Sequence, residues 1–156
     1  VLLPGSVEAT KSPPFLCVLP VGDSITQGNQ VLGSFRSYLN DLLLAEANKT
    51  NALIAGHGFM GFESDDYTTG SRALGRSSTF KMYHQAKWGW TSTQVLHGLE
   101  NIFHGTGTTP EDRTWQKHYQ DTFQLCLESA AETGKHRGVK LPVLVVTTLF
   151  VGHNDA

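Results

Sequence analysis

Apolar side chains fill most positions from Phe15 to Val21 and stop at Gly22, the pattern of a buried strand that runs into a turn. From Ser34 the spacing changes. Phe35, Tyr38, Leu39, Leu42 and Leu43 line one helical face, with Ser34 as the N-cap. A second apolar run, Ala52 to Gly56, again ends on glycine. The opening therefore reads strand, helix, strand and predicts a parallel pair joined by a right-handed crossover.

From Gly56 to Trp90 neither period is present, only Gly, Ser, Thr, Asp and scattered aromatics, which reads as a long functional loop. Helical spacing returns with Val95, Leu96, Leu99, Ile102 and Phe103, capped by Thr91 or Ser92, with Gly98 as a weak point. Thr109-Pro110-Glu111-Asp112 is a helix start, with proline in the first turn and acids at the positive end of the dipole. Trp115, Tyr119, Phe123, Cys126 and Ala130 keep one face apolar until Gly134, where this third helix is expected to end. After Pro142, Val143 to Val151 is rich in β-branched residues and predicts a fully buried strand ending in "GHNDA". Without repeats or linkers, the 156 residues form a single α/β domain.

Composition narrows the partners. Charged residues make up 17% of the chain and the formal net charge is -2, without the basic excess of a nucleic-acid binder. The longest apolar stretch, Leu141 to Val151, falls short of the roughly 20 residues that span a bilayer, so no membrane partner is expected. The chain starts at Val1 with no complete signal peptide, which leaves targeting unread. Asn48-Lys49-Thr50 fits the N-glycosylation pattern and points towards secretion. Cys17 and Cys126 both sit in apolar surroundings, and buried thiols are the favoured reading over a disulfide.

In open parallel sheets ligands bind beyond the carboxyl ends of the strands, and two of those ends here carry "GDSITQG" and "GHND". A serine between a strand and a helix start can raise its hydroxyl while backbone amides face a developing oxyanion, although Asp23 and Ser24 could equally only cap a turn. With "WGWTSTQVL" from Trp88 to Leu96 between them, the three blocks stand in the order that marks the GDSL or SGNH hydrolases. The chain resembles that family from about Phe15 to its last residue. The resemblance implies a flavodoxin-like three-layer parallel sheet. It makes Ser24 the nucleophile and one backbone oxyanion donor, Gly89 a second backbone donor, and Asn154 a side-chain donor.

"LPVGDSITQG", "GSFRSYL" and His84 ahead of "GWTS" are most similar to the carbohydrate esterase branch, including acetylxylan-esterase-like enzymes. That implies a small acyl ester or an acetylated polysaccharide as substrate, no cofactor or metal, and a monomer when complete. Asp23, Trp88, Trp90 and His84 are the expected substrate-side residues. The two tryptophans offer a stacking platform or belong to the core, with equal weight.

The family draws its base and orienting acid from a D-x-x-H block, and this sequence contains no D-x-x-H. Among the seven histidines, His97, His104, His118 and His136 lie on or beside predicted helices, and His84 is expected to be a hydrogen-bonding residue at the site. His57 is placed to line the cleft after the second strand, and His153 adjoins Asn154. His57 and His153 are thus first in line as substitute bases. In a flavodoxin-like order the last strand would also need a further neighbour, so the chain is expected to be the N-terminal part of a longer protein. Two other classes compete with the hydrolase: a non-catalytic carbohydrate-binding relative, and a phosphate or nucleotide binder. The latter ranks last, because the loop after the first strand lacks the glycines and lysine of a phosphate cradle.

Overall fold

The computed structural model describes residues 12–28, 34–61, 63–65, 82–87, 89–104 and 109–151. In chain order these hold β1 (Phe15–Gly22), α1 (Ser24–Gln27), α2 (Phe35–Ala47), β2 (Gly56–Phe59), β3 (Glu63–Asp65), β4 (Met82–Ala86), α3 (Ser92–His104), α4 (Pro110–Arg137) and β5 (Val143–Phe150).

β1 organises the sheet. Along one edge it pairs in parallel with β5 over all eight residues, from Phe15 opposite Val143 to Gly22 opposite Phe150. Along the other it pairs in parallel first with β2 and then, at Val21 and Gly22, with Gln85 and Ala86 of β4. β3 runs antiparallel to β4. The β2–β1–β5 order is consistent with a flavodoxin-like fold.

Strand alternation sends Phe15, Cys17, Leu19 and Val21 to one face, where Val95 of α3 and Cys126 and Ala130 of α4 complete the main core. On the opposite face Val18 and Phe59 pack with Leu39 and Leu43 of α2. The result is three layers around a sheet of four parallel strands and one antiparallel strand among the described residues.

Several sequence expectations shift. Ala52 to Gly56 is the approach to a strand and not the strand itself: Leu53 is exposed, Ile54 and Ala55 are buried, and pairing begins only at Gly56. The stretch from Gly56 to Trp90, expected as loop, contains β2, β3 and β4. In α2 the Ser34 cap is in place, its hydroxyl accepting from the Arg36 amide at 3.2 Å. The buried line of that helix, however, runs through Arg36 and Asn40, while Tyr38 and Leu42 face outward. Thr91 caps α3 in a capping box, its amide donating to Gln94 Oε1 at 2.9 Å and its hydroxyl accepting from the Gln94 amide at 3.4 Å.

α4 continues through Gly134 to Arg137. It ends in a Schellman motif, with Gly138 at φ +68 donating to Lys135 and Val139 donating to Gly134. Contrary to the thiol reading, Cys17 and Cys126 are joined in a disulfide with their Cα atoms 6.0 Å apart. The inward face of β1 meets the buried stripe of α4 there, which brings the two backbones within bridging range.

The largest departure is β5. Predicted to be fully buried, it leaves Leu144 50%, Leu149 56% and Phe150 47% exposed. No strand pairs with its far edge among the described residues. Among those residues, no helix is long and apolar enough to cross a membrane.

Candidate active site

Chain direction and register decide what meets at the carboxyl end of the sheet. Because Gly22 lies opposite Ala86 on one side and Phe150 on the other, the chain leaves β1, β4 and β5 at one level. Two residues beyond Gly22 stands Ser24, and three beyond Ala86 stands Gly89. The structure thus brings Ser24 and Gly89 to the same sheet edge. Trp88, His153 and Asn154 lie outside the described residues.

The turn that carries Ser24 is tightly built. A Cβ on Gly22 would lie 2.2 Å from the Phe150 carbonyl oxygen and 2.4 Å from Thr26 Oγ1, so only glycine lets β1 pass between β5 and α1. The Asp23 amide donates to the Phe150 carbonyl at 3.3 Å, and Asp23 Oδ1 accepts from the Ile25 amide at 3.0 Å. Asp23 is therefore the N-cap of α1 and is completely buried. A carboxylate expected on the substrate side is instead turned into the protein. Thr26, also fully buried, donates to the Val21 carbonyl at 3.3 Å. Ser24 itself is partly exposed at the start of α1.

Gly89 has φ +78 and a Cβ there would meet nothing within 4 Å. Its glycine is thus required by the left-handed backbone and not by crowding. The Trp90 amide donates to the Lys87 carbonyl at 3.2 Å, closing the turn on which Gly89 sits. Trp90 is 6% exposed, with its ring 5.5 Å from that of Trp115. Of its two readings the structure assigns it to the core, where it anchors the Gly89 turn. His84 is completely buried within β4. It stands two residues before the strand exit, behind the edge and not on it.

His57 overturns an expectation. It lies inside β2, opposite Leu16 and beside Asn40, with Nε2 3.0 Å from Asn40 Oδ1. Leu16 to Gly22 is six strand steps, so His57 sits about 20 Å from the edge where Ser24 emerges. Burial pushes its pKa down to about 4. It is a neutral, packed residue at the wrong end of the sheet and does not line the cleft. An apolar groove of about 380 Å³, lined by Leu127, Ala130, Val139, Leu141 and Val143 among others, is also at that far end.

Within "GSFRSYL" the sequence pattern alone assigns no role to Arg36. Arg36 is completely buried and reaches the carbonyl of Gln27, the last residue of α1, at 2.6 Å. The available signal was its place in the helix: Arg36, Asn40 and Leu43 fall on one line that faces the sheet.

Among the described residues no group of three or more His, Cys, Asp or Glu side chains is arranged to hold a metal ion. Comparison with protein-family models, with curated proteins and with solved structures yields no match.

Proposed function

We propose that the protein is a serine ester hydrolase of the GDSL/SGNH type that removes acetyl or other acyl groups from carbohydrate. The observation that carries this reading is the register at Gly22: β1, β4 and β5 end at one level, and in the sequence Ser24, Gly89 and Asn154 follow those ends by two, three and four residues. In the proposed reaction Ser24 Oγ attacks the ester carbonyl and gives up its proton to a base. The backbone amides of Ser24 and Gly89 and the side-chain amide of Asn154 hold the oxyanion. The acyl C–O bond then breaks, the sugar hydroxyl leaves with a proton, and water releases the acyl group from Ser24.

The 156 residues contain no D-x-x-H, and His57 is about 20 Å from the proposed nucleophile. That combination favours a second reading, a carbohydrate-binding relative that keeps the cleft without the chemistry. The Cys17–Cys126 disulfide and the exposed Asn48-Lys49-Thr50 turn support a secreted protein under either reading.

Turnover of an acetylated carbohydrate by the full-length protein separates the two. Under the hydrolase reading Ser24→Ala abolishes turnover and Asn154→Ala lowers it about a hundredfold or more with little change in stability. Carbohydrate binding without turnover establishes the relative. Residues 1–156 are expected to hydrolyse p-nitrophenyl acetate no faster than their Ser24→Ala variant, because the sequence holds no D-x-x-H and His57 lies far from the hydroxyl; a normal enzymatic rate that Ser24→Ala abolishes would make His153 the candidate base.

A further inference from the structure

We propose that Arg36 is a positioning residue that fixes Ser24 by clamping the peptide group between Gln27 and Gly28. The catalytic consequence rests on the reading of Ser24 as nucleophile; the clamp does not. The carbonyl of that peptide accepts from Arg36 Nη2 at 2.6 Å, and its N–H, on Gly28, donates to the Ser24 carbonyl at 2.7 Å. One rigid plane is thus held by the guanidinium on one side and grips the serine backbone on the other.

The plane needs holding, because Gly28 has φ +74 and ψ -167, a conformation essentially restricted to glycine and easily left by it. A carbonyl at the last position of a helical turn also has no partner within that turn.

The guanidinium is itself fixed. Arg36 Nε donates to Ser34 Oγ at 2.9 Å, and the same oxygen accepts the Arg36 amide as the cap of α2. Capping α2 and aiming the arginine are therefore one act. A wholly buried guanidinium is costly to desolvate and is kept only where its donors are well placed. Here they tie the start of α2 to the end of α1, nine residues earlier in the chain. The Ser24 turn is held from below by Asp23 and Thr26 and from its far end by Arg36.

The test compares Arg36→Met and Arg36→Lys with the wild-type full-length protein. It uses amide hydrogen exchange at Gln27 and Gly28, and saturation kinetics of a fluorophosphonate probe reacting at Ser24. In Arg36→Met the Gly28 amide should exchange roughly tenfold or more faster relative to amides of α4. The maximal rate of Ser24 labelling should fall by a similar factor, with the half-saturating probe concentration unchanged within about twofold. Arg36→Lys, which retains one donor for the Gln27 carbonyl, should recover part of both losses; a general loss of stability would shift neither the rate–saturation split nor the lysine rescue in this way.

Unchanged Gly28 exchange in Arg36→Met overturns the proposal, as does unchanged labelling. If that variant does not fold, Ser34→Ala, which frees Nε, should raise Gly28 exchange by a smaller factor, and no rise overturns it. A wild-type protein that is never labelled at Ser24 defeats the nucleophile reading instead, and exchange at Gly28 alone then decides the clamp.

Discussion

β1 and β5 are adjacent strands of equal length, paired residue for residue and similarly apolar, yet their environments are opposite. Seven of the eight residues of β1 are buried, while six of the eight in β5 are exposed. Leu16 shows the contrast at a single level: its neighbour on one side, His57, is 7% exposed, and its neighbour on the other, Leu144, is 50% exposed. The difference arises from coverage. Among the described residues, β1 has α2 over one face, α3 and α4 over the other, and strands along both edges, whereas β5 shares only one edge. A hydrophobic run therefore specifies a strand, and its neighbours decide whether burial follows.

The largest test of this contrast is the bridge that fastens β1 to α4. Its closed loop spans a sequence separation of 109, for which the chain-entropy model gives about 5 kcal/mol. Reduction, or the Cys17→Ala and Cys126→Ala pair, should lower the Tm by roughly 10 to 20 °C. A shift of only a degree or two would mean that the covered side of β1 does not depend on it.

Next comes His57, on the covered flank. Its folded pKa of about 4 lies below the ordinary value of 6.5, so the unfolded chain takes up a proton before the folded one does. The stability contributed by the neutral residue is full above pH 6.5, is lost as pH falls towards 4, and changes no further below that. The loss is at most about 3 kcal/mol. Urea unfolding of wild type and His57→Gln should therefore differ in pH dependence across that window, and parallel curves would contradict the burial.

Sharper still is one matched pair. Val18 and Val146 lie opposite each other in register, 2% and 39% exposed. Val18→Ala should cost about 2 kcal/mol and Val146→Ala less than about 1 kcal/mol. Equal costs would show that β5 is covered in solution.

β1, α2, α3, α4 and β5 were legible because each carries its period or its cap in plain residues, such as Ser34, Thr91 and Pro110. β2 was not, because its sequence is Gly-His-Gly-Phe. Gly56 makes room for the Phe15 ring, and Gly58 lies under Cys126. Packing against bulky neighbours removed the apolar side chains that would have announced a strand. β4 was hidden by two polar residues, His84 and Gln85, that are nonetheless completely buried. The same shift of β2 misplaced His57: a glycine read as the end of a strand begins one.

At the candidate site, "GDSITQG" and "GWTS" pointed to Ser24 and Gly89, which the register brings to one sheet end, whereas the placement of Asp23 as cap and Trp90 as anchor was not legible, since both depend on which way a side chain turns. Arg36 was obscured for a different reason. A charged residue early in an amphipathic helix ordinarily faces solvent, whereas this one is turned inward onto the carbonyl at the end of α1 and the Ser34 hydroxyl.

The most direct measurement is covalent. Treating the full-length protein with a fluorophosphonate probe and sequencing the modified peptide should find the adduct on Ser24 and lose it in Ser24→Ala. An adduct on another residue, persisting at full yield in Ser24→Ala, or no adduct under conditions where the protein cleaves an acyl ester, would contradict Ser24 as the nucleophile.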